Sequence, residues 1–163
     1  MSANKDGIKK VPDKGRDNPR ITLDHYRPIV GDEVISQLER LAERLGRRRL
    51  VHINSTRTGG GVAEMLQRNV PLLNQLGVET RWEVIEGDQT FFEVTKGIHN
   101  ALQGLRMSLP PGGIEYYLHV NQQNARRFTW EADFVLVHDP QPAFIIEHAR
   151  RRARKWVWRC HID

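Results

Sequence analysis

Three consecutive glycines, Gly59-Gly60-Gly61, stand between a short apolar stretch and an amphipathic one, and that junction narrows the folds open to this chain. Leu50-Val51-His52-Ile53-Asn54 reads as a buried strand, Ser55-Thr56-Arg57-Thr58 leads into the glycines, and Val62-Ala63-Glu64-Met65-Leu66 opens a helix. The first N–H groups of a helix have no partner inside it, and the helix dipole favours negative charge there. Glycines let an anion approach the backbone because no Cβ intervenes. A strand, a glycine turn and a helix start therefore predict an anion pocket fit for phosphate. A tight turn without a ligand is the competing reading.

The rest of the chain repeats the alternation. A helix from near Asp32 carries Val34, Ile35, Leu38, Leu41, Ala42 and Leu45 at helical spacing and stops at Gly46. The helix after the glycines carries Val62, Met65, Leu66, Val70, Leu73 and Leu76 and ends at Gly77; Pro71 predicts a kink or break near Asn69–Val70. Val78 to Ile85 is a second strand, followed by the turn Glu86-Gly87-Asp88 and a helix bearing Phe91, Val94, Ile98 and Leu102. Pro110-Pro111-Gly112-Gly113 separates that helix from another over Ile114–Phe128. Asp133–His138 has the continuous apolar middle of a parallel strand buried on both faces. A helix over Ala143–Arg152 and a strand over Lys155–His161 complete the series. Strands alternating with helices predict an α/β fold, a Rossmann-like doubly wound parallel sheet over residues 21–163. Residues 1–20 read as a flexible polar tail, and Ile21–Val30 as an extended lead-in. The chain stops just after a strand, where a functional loop is expected, which suggests a fragment of a longer protein.

Of the 163 residues, 39% are apolar and 28% charged, as in a globular chain with a core. No apolar run approaches the ~20 residues of a membrane span. With no secretory leader and one cysteine, Cys160, the expected setting is the cytoplasm. The net charge of +5 raises the question of nucleic acid. Its cations gather in residues 5–20, at Arg47-Arg48-Arg49 and over residues 150–155. The last two groups abut predicted helix ends, where cations suit the dipole, so a nucleic-acid face is not expected.

In an open parallel sheet, ligands bind outside the carboxyl ends of the strands. Four polar segments converge there: Ser55–Gly61, Glu86–Asp88, His138–Gln141 and His161–Asp163. The glycines do not complete a dinucleotide fingerprint, because Glu64 stands at the third glycine position, and no triphosphate-binding loop is present. His138-Asp139-Pro140-Gln141-Pro142 offers His138, Asp139 and Gln141 to vicinal hydroxyls; alternatively it is a proline-stiffened turn with Asp139 capping the next helix. His161 lies at a strand's carboxyl end. Lys96, His99 and Asn100 form either a ligand-facing or a solvated helix side. No cluster has zinc-site spacing; Cys160 and His161 point to opposite faces of a strand.

The runs His52–Thr56, Gly59–Glu64, Trp82–Asp88, Phe91–Lys96, His99–Gly104, His138–Pro142 and Trp158–Asp163 together resemble the N-terminal domain of trehalose synthases of the glycosyltransferring type. The likeness covers residues 21–163, and fungal-type trehalose phosphorylases are similar. The resemblance implies the N-terminal, acceptor-binding half of a GT-B glycosyltransferase of family 4, with the donor-binding C-terminal domain absent from this chain. It implies retaining transfer of glucose from a nucleotide-glucose, such as UDP-glucose or ADP-glucose, to glucose, forming trehalose reversibly, without a bound metal or other cofactor. By position, Gly60 and Gly61 would lie near the donor diphosphate, and His161 would face the transferring sugar. His138, Asp139 and Gln141, with Lys96 and Asn100, would line the acceptor pocket. This chain alone would then turn over little, and an apolar face left by the missing domain could drive self-association into a homo-oligomer. A trehalose phosphorylase and a stand-alone sugar or nucleotide module are the alternatives.

Overall fold

A computed structural model describes residues 21–161 of the chain; the tail expected over 1–20, and residues 162–163 after the last strand, lie outside the described residues. Four parallel strands form one sheet: β1 (Arg49–Asn54), β2 (Glu79–Val84), β3 (Phe134–His138) and β4 (Lys155–Arg159), in the order β2-β1-β3-β4. The helices are α1 (Leu23–Leu45), α2 (Gly61–Gln75), α3 (Gln89–Leu102), α4 (Gly113–Arg127) and the short α5 (Ile145–Ala149), which runs into a 3-10 turn at Arg150–Arg152. The chain steps from β1 through α2 to β2, then crosses back to β3 on the other side of β1. The order reverses between β1 and β3, and the carboxyl ends of those two strands frame the crevice.

Strand alternation sorts the side chains. Val51 and Ile53 of β1, with Val135 and Val137 of β3, enter one core with Phe91 and Val94 of α3, Tyr117 and Val120 of α4, and Ile145 and Ala149 of α5. Phe91, Val94, Ile53, Val135 and Ile145 are wholly buried, and each such large side chain contributes about 1.5–3 kcal/mol of transfer free energy. The opposite face carries His52, Asn54 and His138, on the side where Arg159 of β4 reaches Met65 of α2. No described helix is long and apolar enough to cross a membrane.

Four local expectations are corrected. Ile21–Val30 is not an extended lead-in: α1 begins at Leu23, because Thr22 closes its start, its N–H and hydroxyl both meeting Nδ1 of His25 at 3.1 and 2.8 Å. Gly31, at φ +82°, interrupts that helix, so a second helical stretch starts where the apolar pattern places one, at Asp32. α2 is unbroken at Pro71; it runs from Gly61 to Gln75, and only Gly77, at φ +81°, turns the chain. The helix over Ala143–Arg152 shrinks to one α-helical turn and a 3-10 turn, and β4 ends at Arg159, short of His161. Along α1, Ile35 and Ala42 are buried, whereas Val34, Leu38, Leu41 and Leu45 remain exposed among the described residues.

Candidate functional site at the carboxyl ends of the strands

The glycine turn is built by the residues before it. Asn54, buried at the end of β1, donates from Nδ2 to the Thr56 carbonyl at 2.8 Å and accepts Trp82 Nε1–H at 2.8 Å. Thr56 Oγ1 reaches the Thr58 carbonyl at 2.6 Å, and Gln67 of α2 holds the Arg57 carbonyl at 3.2 Å. Arg57 lies over the Trp82 ring, 4.4 Å from its centroid. Gly59 and Gly60 then take φ +76° and +84°, which glycine adopts without strain. A Cβ at Gly59, Gly60 or Gly61 would meet nothing within 4 Å, so the turn borders open space. Glu64 N–H is the first to bond back, to the Gly60 carbonyl, which leaves the N–H groups of Gly61, Val62 and Ala63 as the unpaired start of α2.

Across the crevice stand three histidines. The β1–β3 register sets His52 opposite Leu136, and the β3–β4 register sets His138 opposite Arg159. His138 is thus one same-face step beyond His52, and His161 one beyond Arg159. The three rings climb diagonally across the sheet toward its carboxyl edge. Nδ1 of His52 meets Nε2 of His138 at 2.9 Å, and Nδ1 of His138 meets Nε2 of His161 at 2.9 Å. Both pairs stack with centroids 5.2 Å apart. Burial, with Arg159 nearby, pushes His52 down to about 4. Burial, the flanking histidines and Arg159 push His138 down to about 3. Both are neutral at pH 7. Nε2 of His52 is buried without a partner.

Asp139 joins the loop after β3 to the end of β4. Its N–H donates to the Arg159 carbonyl at 2.9 Å, its carbonyl accepts Trp158 Nε1–H at 2.9 Å, and its Oδ1 accepts the His161 N–H at 2.7 Å. This replaces the helix-capping role open to Asp139, since α5 has no side-chain cap. Asp139 also sits at φ +64°, the one described non-glycine residue at positive φ, a region aspartate tolerates better than alanine. Asp139→Ala is expected to cost about 1–3 kcal/mol, through the lost acceptor and the unfavourable φ. Asp139→Asn, which keeps both, is expected to cost less than about 1 kcal/mol. Urea midpoints of the two variants check the contrast.

The remaining candidates divide. His138 is in the site but wholly buried, with both ring nitrogens engaged by histidines, so it reaches a ligand only through His161. Gln141 is in the loop after β3; its Oε1 is buried and unpartnered, and Asn121 Nδ2 holds its carbonyl at 3.1 Å. Lys96 is exposed about two turns along α3, and Asn100 lies one turn further. No hydrogen bond among the described residues joins either side chain to the histidines or Asp139. The Glu86–Asp88 segment is structurally committed. Asp88 caps α3 through the Phe91 N–H at 2.9 Å and accepts Tyr116 O–H at 2.6 Å, while Glu86 pairs with Arg127 at 3.2 Å. A cavity of about 640 Å³, lined by Gln122, Arg126, Trp130 and Glu131, lies near the start of β3, at the end of the sheet where ligands are not expected.

Two residues of the crevice escaped the sequence reading. His52 was visible as a histidine inside an apolar strand, but its partner is 86 positions away. Arg159 reads as one more surface cation, yet its Nη1 lies 3.9 Å from Sδ of Met65, spanning from β4 toward α2.

A four-stranded parallel sheet flanked by helices, with a glycine-led helix start at the reversal of strand order, is a Rossmann-like unit of the kind that forms the N-terminal half of GT-B glycosyltransferases. Residues 52–163 match the family described as trehalose synthase, N-terminal domain. The chain belongs to that family. A trehalose synthase of Pyrococcus horikoshii is 50% identical over 143 residues, covering 86% of this chain and 34% of the relative. One from Rubrobacter xylanophilus is 42% identical over 146 residues, covering 86% and 35%. A trehalose phosphorylase of Grifola frondosa is 27% identical over 156 residues, covering 86% and 21%. The chain spans about a third of the length of these trehalose synthases.

Proposed function

We propose that this chain is the acceptor-side half of a retaining glycosyltransferase that moves glucose from a nucleotide-glucose to glucose, forming trehalose. The observation that carries the reading is the crevice between β1 and β3. Unpaired N–H groups of Gly61, Val62 and Ala63 border it on one side, and His161 and Asp139 stand on the other. An anionic leaving group suits the first side, and hydroxyl-rich sugar suits the second. The Gly61 N–H would meet the departing diphosphate as negative charge develops on it, a fixed dipole aimed at the transition state. Gly60 would leave room for that phosphate, and Arg159 would add a cation above it. His161 would touch the transferring glucose. Asp139 and Gln141 would border the acceptor, with His138 acting behind His161; Lys96 and Asn100 would take part only at the edge of that pocket. Donor and acceptor must be held together for transfer, so turnover needs a donor-binding half facing this one. The reading calls for no resident metal or other cofactor.

Calorimetric titration with glucose, trehalose, UDP-glucose and ADP-glucose tests the assignment. Arg159→Gln should weaken nucleotide-glucose binding about tenfold or more, the worth of a charge-assisted bond to phosphate, and leave glucose binding unchanged. Equal weakening of both ligands, or no heat from any of them at millimolar concentration, counts against it. The similarity to the Grifola frondosa trehalose phosphorylase supports a second reading, in which phosphate takes the place of the nucleotide. Binding of glucose 1-phosphate in preference to UDP-glucose and ADP-glucose would favour that one.

A further inference from the structure

We propose that His52 and His138 form a buried relay that fixes His161 as its Nδ1–H tautomer, so that His161 meets its ligand as a hydrogen-bond donor. Two contacts of 2.9 Å link the three rings, and when each ring carries a single proton each contact holds one. The third proton must sit at one end of the chain. If every ring carries Nδ1–H, His52 donates to His138, His138 donates to His161, and His161 keeps an N–H on its free side. If every ring carries Nε2–H, the direction reverses, and the outer nitrogen of His161 becomes an acceptor.

The far end decides between them. Nε2 of His52 is buried and has no partner. In the reversed chain that atom would be a stranded N–H; in the forward chain it is a bare lone pair. Buried unpaired acceptors are tolerated better than buried unpaired N–H groups. Arg159, opposite His138 on β4, disfavours added positive charge at His52 and His138. The Asp139 carboxylate takes the main-chain N–H of His161, not its ring. Asn54, beside His52 on β1, is committed to Trp82 and Thr56. Among the described residues no partner occupies Nδ1 of His161, which is half-buried at the crevice. The group facing the ligand is an N–H suited to a sugar hydroxyl or a phosphate oxygen. That last step rests on the reading above; the tautomer does not.

Long-range proton–nitrogen spectra of the imidazoles, recorded at pH 7.5 without ligand, test the relay. The expected result is a protonated Nδ1 and a bare Nε2 in His52, His138 and His161, against the preference of free histidine for Nε2–H. An Nε2–H form at His161, or rapid averaging of its two forms, overturns the proposal. His52→Asn can still donate to His138 and should keep the Nδ1–H signature at His161. His52→Asp, an acceptor when ionised, should reverse it. If the aspartate variant does not fold, the wild-type and asparagine spectra decide alone. On adding glucose or UDP-glucose at concentrations that give binding heat, the His161 Nδ1–H resonance should move. Heat without that movement overturns the donor role while leaving ligand binding intact.

Discussion

Between pH 6.5 and about 4 the folded chain is expected to lose several kcal/mol of stability. His52 and His138 are neutral in the fold, held there by burial at about 4 and about 3, whereas in the unfolded chain both titrate near 6.5. Within that window the unfolded state binds more protons than the folded one, so stability rises with pH. The contribution is complete above pH 6.5 and disappears as pH falls through the folded values. Each histidine adds a slope of up to about 1.4 kcal/mol per pH unit, roughly 3 kcal/mol for His52 over its range. Urea midpoints at pH 8, 6 and 5 measure it. His52→Asn should remove about half of the slope. A midpoint that stays level from pH 8 to pH 5 would show that the buried histidines do not titrate as described.

The second large effect falls on Asn124. This buried residue of α4 spends its whole amide on its surroundings: Oδ1 accepts from the Glu86 N–H at 2.8 Å, and Nδ2 donates to the Glu86 carbonyl at 2.7 Å and the Val120 carbonyl at 3.0 Å. It acts as an extra strand residue alongside the end of β2. Asn124→Ala strands both main-chain groups of Glu86 and is expected to cost about 2–4 kcal/mol. Removing the neighbouring ion pair by Glu86→Gln, with Glu86 exposed, should cost less than about 1 kcal/mol. Urea unfolding with an unchanged slope checks both. If Asn124→Ala proved as mild as Glu86→Gln, the loop after β2 would not depend on that amide.

β1, β3 and β4 were legible as short stretches with an apolar middle between helices, and β2 from Trp82, Val84 and the Ile85 that follows it. The convergence of polar segments at their carboxyl ends followed from that. The first turns of α1 were not legible: Pro28 and Gly31 look like breakers, and the helix depends on a Thr22–His25 contact that leaves no apolar period. Pro71 misled in the same sense: it too looks like a breaker, yet α2 runs through it from Gly61 to Gln75. Gly87 read as an ordinary turn glycine, yet a Cβ there would lie 2.5 Å from Cδ1 of the buried Phe91, and only the packed core shows it. His138 and Asp139 were marked as ligand-facing from residue type, their place at a strand's carboxyl end and the family resemblance. Their first partners are protein groups, His52, His161 and the His161 N–H, brought near by register rather than by sequence.

The register of the two central strands also has a kinetic consequence. β1 pairs with β2 across one helix, but its other edge waits for β3, and Arg49 meets Asp133 across 84 positions. Closing so long a loop is slow compared with forming the nearer pair. Until β3 docks, His52 is in water and takes up protons as a free imidazole does. Acid therefore acts on the assembly route as well as on the finished molecule, because a charged His52 must shed its proton before the sheet can close over it. The crevice framed by β1 and β3 cannot form before that pairing.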